Sequence, residues 1–95
     1  MEKVIEVDGN KYKLIKNYRD GYDEELFLTR YTDYFKSYDY IVGDIAYSKL
    51  RLKGFNNKGN KNYNKLNDYK TVEKYIKENC AYDCSYFILE RINEK

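Results

Sequence analysis

The sequence predicts one α+β domain over residues 1–95, ordered β-β-α-β-β-α-β, with a mostly antiparallel sheet packed on two helices as a layered sandwich. Three observations predict it. Two short alternating apolar stretches flank Asp8-Gly9-Asn10, aromatic residues recur at helical spacing from Phe27 to Tyr38, and Tyr86-Phe87-Ile88-Leu89 is a continuous apolar run of strand length. A chain of 95 residues holds one core and is too short for two, since independent domains usually need roughly 100–150 residues.

The first two strands, at about 2–7 and 11–16, follow from a glycine-containing connection between alternating runs, the strongest short-range hairpin signal. Asn17 to Tyr22 is a turn-rich connector. Phe27, Tyr31, Tyr34, Phe35 and Tyr38 then fall at i, i+4, i+7, i+8 and i+11, one face of a helix expected over 24–37. Asp23 suits its N-cap, and Glu24 and Glu25 suit the positive end of its dipole. Residues 40–55 are β-rich, with a turn at Gly43-Asp44 or, preferred, at Ala46 to Lys49. Either turn places Leu50 and Leu52 on one face and Arg51 and Lys53 on the other. Asn56 to Asn67, a polar stretch without periodicity, is expected to be a mobile surface loop. Tyr69, Val72, Tyr75, Ile76 and Cys80 share the face of a second helix capped by Asn67 or Asp68. The last apolar run is expected to be a central strand covered on both sides.

Composition excludes much chemistry. No histidine is present, which removes the Ser-His-Asp and Cys-His constellations and imidazole metal ligands. The five glycines are isolated, so neither a dinucleotide fingerprint nor a phosphate loop can form. The longest apolar run is far short of the roughly 20 residues of a membrane-spanning helix. The charged start Met1-Glu2-Lys3 leads into a strand without an apolar signal region, and a cytoplasmic location is expected. Heavy use of lysine, asparagine, tyrosine and isoleucine without proline, tryptophan or histidine is the bias that an AT-rich genome would impose, so position carries more weight than abundance.

Position shows a dipole beneath the net charge of +2. Residues 45–70 hold seven cations against Asp68 alone, a local +6, while residues 20–44 hold seven acids against Arg30 and Lys36, a local −5. The candidate nucleic-acid-binding residues are Lys49, Arg51, Lys53, Phe55, Lys58, Lys61, Tyr63 and Lys65, with Tyr47, Phe55 and Tyr63 as rings for base stacking. Against this stands a solvated loop whose neighbouring strand cations pair with the acidic helix.

Cys80 and Cys84 are spaced for a redox pair; a buried thiol pair joining the second helix to the last strand competes with it. Two thiolates without histidine do not complete a zinc site in one chain. Asp39 and Asp44 alternate to opposite faces and fit a helix exit and a strand end better than a carboxylate site. Asp20, Asp23, Glu24 and Glu25 fit a helix N-terminus better than a metal site. No metal, cofactor or catalytic residue is assigned.

Three segments together carry a family resemblance: Asp39-Tyr-Ile-Val-Gly-Asp44, Leu50-Arg-Leu-Lys-Gly-Phe55, and Cys80-x-x-x-Cys84 followed by Tyr86-Phe87. The chain resembles the YutD-like family of small proteins from low-GC Gram-positive bacteria and mollicutes, from Lys11-Tyr12 to Leu89. The resemblance implies a cytoplasmic α/β sandwich without an established catalytic activity. The expected function is a non-enzymatic module that binds an anionic partner, RNA first, through the basic strand and lysine-rich loop. The alternative is a protein-interaction adaptor using the acidic helix face (Glu25, Thr29, Asp33) or a sheet edge.

Overall fold

The structure, a computed structural model, describes residues 3–7, 9–46, 49–79 and 85–92. Its strands are β1 (Lys3–Val7), β2 (Asn10–Tyr18), β3 (Tyr40–Ala46), β4 (Lys49–Phe55) and β5 (Ser85–Ile92); its helices are α1 (Glu24–Arg30) and α2 (Val72–Asn79). They form the expected α+β order, with one five-stranded sheet in the spatial order β1-β2-β5-β3-β4 and every neighbouring pair antiparallel. Val7 pairs with Asn10, and Gly9 in their connection adopts φ +80°, a region open to glycine at no steric cost. Ala46 pairs with Lys49, which places the second hairpin turn at the preferred position.

The continuous apolar run becomes β5, the middle strand, which buries both of its faces. Phe87 and Leu89 join Tyr12, Ile41, Leu50 and Phe27 in one cluster; Ile88 joins Tyr40, Val42, Phe55 and Val72 in another. The two helices therefore lie on opposite faces of the sheet, α1 over the first cluster and α2 over the second. Phe87 packs edge-on against Tyr22 at 5.2 Å and Phe27 at 6.1 Å between ring centroids. Beneath it β3 carries Gly43, where any Cβ would overlap the Phe87 ring.

Two expectations are corrected. The helix foreseen over 24–37 ends at Arg30, and Thr32 caps a separate 3-10 turn, Asp33–Phe35, by accepting from the Tyr34 N–H at 3.3 Å. A threonine hydroxyl competes with the helical ladder for backbone donors. Phe27, Tyr31 and Phe35 remain buried across the break, whereas Tyr34 is turned out to 65% exposure.

Residues 56–67, expected to be mobile, are instead tied by their own asparagines. Asn56 is fully buried; its Oδ1 accepts from the Asp39 N–H and from Asn60 Nδ2. Its backbone bonds Asn67 O and the Tyr69 N–H. Asn64 and Asn67 form a reciprocal capping box around the 3-10 turn Lys65–Asn67. Asn56→Ala is expected to cost about 1–3 kcal/mol, because two donors lose their acceptor. Urea unfolding checks this, alongside faster amide exchange in residues 57–62.

Tyrosine ionisation is expected to set the alkaline limit of the fold. Burial, with a hydrogen bond to the Tyr31 hydroxyl, pushes Tyr12 far above its ordinary value. Burial, with Glu24 and Asp23 nearby, pushes Tyr22 up to about 12, and the hydrogen bond to Tyr34, with burial, pushes Tyr38 up to about 12. The fold therefore favours the protonated phenols. Their contribution is fully present below the unfolded value of 10.0 and is lost as pH rises through the folded values. The thermal midpoint should fall steeply from about pH 10 upward, with phenolate absorbance rising in step with unfolding.

Candidate partner-binding edge

Strand β4 is one edge of the sheet. Its inner side pairs with β3 from Ala46↔Lys49 to Tyr40↔Phe55. An edge strand carries backbone donors and acceptors on its outer side that can pair with another chain. Side-chain alternation sends Leu50 into the α1 cluster and Phe55 into the α2 cluster. Lys49, Arg51 and Lys53 thus share their parity with Phe55, on the face that α2 partly covers.

Arg51 is half of an ion pair. Its Nη2 lies 2.5 Å from Asp44 Oδ2, and its Nε donates to the same oxygen at 3.1 Å. The Asp44 side chain is 1% exposed and that of Arg51 50% exposed. Tyr75 donates its hydroxyl to Asp44 Oδ1 at 3.4 Å. The bond to Asp44, more than its charge, raises the Arg51 guanidinium still further above its ordinary value. Burial, then the Asp44 charge, pushes the Tyr75 phenol up. Asp44 is thus neither a strand end nor a turn residue; it is a buried carboxylate held by an arginine from the next strand.

The other candidate residues divide among several places. Lys53 stretches its ammonium over two rings, 5.5 Å from the Phe55 centroid and 5.2 Å from Tyr75. Lys53, Phe55 and Lys65 line a groove of about 350 Å³ with Leu66, Lys74 and Tyr75. Leu66, 83% exposed, is a large apolar side chain on its rim. Lys74 faces Glu78 across one helical turn at 3.9 Å. Phe55 is fully buried, which corrects its expected role as a stacking ring. Tyr63 is half-buried and donates its hydroxyl to Asp68 at 2.7 Å. The Lys70 N–H and that hydroxyl hold the Asp68 carboxyl below its usual range. Lys49 and Lys58 are exposed, and Lys61 lines a different cleft.

Cys80, Cys84 and Tyr47 lie outside the described residues. Asp39 accepts from the Asn57 N–H, and Asp44 is buried beside Arg51, so the two carboxylates do not meet. The acidic face of Glu25, Thr29 and Asp33 is interrupted where α1 ends. Sequence reasoning missed Lys74 and the Asp44–Arg51 pair. The pair was accessible, because a hairpin pairing 46 with 49 must also pair 44 with 51. Among the described residues no helix is long and apolar enough to cross a membrane.

Residues 6–90 match the sequence model of the family described as "Putative antitoxin YutD-like". A relative from Bacillus subtilis (strain 168), described as "Putative antitoxin YutD", is 41% identical over 91 residues, which is 96% of this chain and 100% of the relative. The solution NMR structure of the B. subtilis protein yutD superposes with a TM-score of 0.80 at 40% identity, covering 97% of this chain and 84% of that one.

Proposed function

We propose that this chain, which belongs to the YutD-like family, is a non-enzymatic, antitoxin-like binding module that engages an anionic partner along β4 and the adjoining groove. The carrying observation is an edge strand flanked by lysines beside a groove with an exposed leucine. An acidic extended segment of a partner protein fits it: main-chain pairing supplies affinity, and charge and the Leu66 rim supply specificity. Lys49, Lys53, Lys65 and Lys74 would meet the partner's carboxylates, while Arg51 holds the strand through Asp44.

RNA is the second reading, favoured by the local +6 of residues 45–70. The buried Phe55 and the tethered Tyr63 hydroxyl leave fewer rings for bases than the sequence led one to expect. Capture from a lysate with and without nuclease separates the two. A protein partner retained after nuclease treatment, and lost with Lys53→Glu/Lys65→Glu, supports the first. Retention abolished by nuclease supports RNA. Unchanged capture by the double variant would sink both.

A further inference from the structure

A second concavity, of about 720 Å³, shares no residue with the groove beside β4. Its walls come from the segment after the 3-10 turn Asp33–Phe35, from the asparagine-rich loop and from the end of β5. We propose that this cleft binds a phosphate-bearing small anion.

Among the described residues, three cations from distant parts of the chain, Lys36, Lys61 and Arg91, line it beside the carboxylate of Asp39. Arg91 is already bonded within the chain, so Lys36 and Lys61 supply the charge that an anion would meet, and a phosphate monoester carries about −1.5 to −2 at pH 7. The remaining lining groups among the described residues are amides, a hydroxyl and a glycine, with no apolar side chain. Such a lining suits a polar body and offers no ring on which a base could stack. The volume lies within the usual range of small-molecule sites, roughly 300–1,000 Å³.

The walls are tied in place. Arg91 donates from its guanidinium to the Lys36 carbonyl and from its backbone N–H to Asp39 O at 2.8 Å. Asn60 Nδ2 donates to Ser37 O at 3.1 Å, and the Asn57 N–H to Asp39 Oδ2 at 2.9 Å. The loop and the Lys36 segment are therefore joined to each other before any ligand arrives, the preorganisation that lowers the cost of binding.

Amide chemical shifts of the full chain, titrated with inorganic phosphate, ribose 5-phosphate and ribose at matched ionic strength, test the proposal. Saturable shifts centred on residues 57–62 and Arg91 are expected with the phosphates, and none with ribose. Lys36→Ala and Lys61→Ala should each weaken binding about tenfold, the effect of losing one charge-assisted hydrogen bond. Lys77→Ala, on exposed α2 surface, should leave it unchanged. Tighter binding of ribose 5-phosphate than of phosphate identifies a sugar phosphate as the source; equal affinity identifies free phosphate. No saturable shift at the cleft, or equal weakening by all three variants, would overturn the assignment.

Discussion

Phe87→Ala is expected to lower the unfolding free energy by about 3–5 kcal/mol, the usual cost of removing a buried aromatic ring. Phe87 is fully buried in the central strand and meets Tyr22, Phe27 and the bare backbone of Gly43. Gly43 has no side chain to close over the space, so the cavity should persist. A domain of this length is stable by roughly 5–14 kcal/mol, and the substitution removes a large part of that margin. Urea unfolding should show a much lower midpoint with an unchanged slope, the sign of lost stability without altered compactness. The milder Phe87→Leu should recover part of the loss. A cost below about 1 kcal/mol for the alanine variant would contradict the packing described.

Arg51→Ala is expected to cost about 2–4 kcal/mol, although its side chain is half exposed. Removing one partner of a buried pair leaves the other charge without compensation, which costs about 3–5 kcal/mol when both are buried. Water on the Arg51 side screens part of this. Sequence alternation alone makes Arg51 an outward cation whose loss changes stability by less than about 0.5 kcal/mol, and the Asp44 contact reverses that expectation. Replacing both Asp44 and Arg51 by leucine should restore much of the loss, since an apolar pair leaves no buried charge. If Arg51→Ala unfolds at the wild-type urea midpoint, the pair is not structural.

Most of the fold was legible because its signals are local and periodic. Asp8-Gly9-Asn10 marked the first hairpin, the preferred turn marked the second, and Tyr86 to Leu89 marked the central strand. The helix 24–37 was overextended because Phe27, Tyr31 and Phe35 keep helical spacing even though the Thr32 hydroxyl divides the segment in two. The loop was misread because asparagine-to-backbone bonds follow no period; Asn56, Asn64 and Asn67 resemble solvated residues until their partners are known.

The candidate site was legible in its charges and less so in its geometry. Alternation correctly separates Leu50 from Lys49, Arg51 and Lys53, but it cannot say that a second helix covers part of the latter's face. Because α2 packs there, Phe55 becomes core, Lys53 lies over aromatic rings and Arg51 reaches a buried carboxylate. The cleft of Lys36, Lys61 and Arg91 gave no sequence signal, since its cations come from three separate segments.

Hydrogen exchange of the wild-type chain, alone and bound to the protein partner captured after nuclease treatment, tests the docking edge most directly. Amides of β4 and of Lys65 to Tyr75 should exchange more slowly in the complex, with α1 and β1 unchanged. Protection confined to α1 or β1, with β4 exchanging as in the free chain, would contradict it.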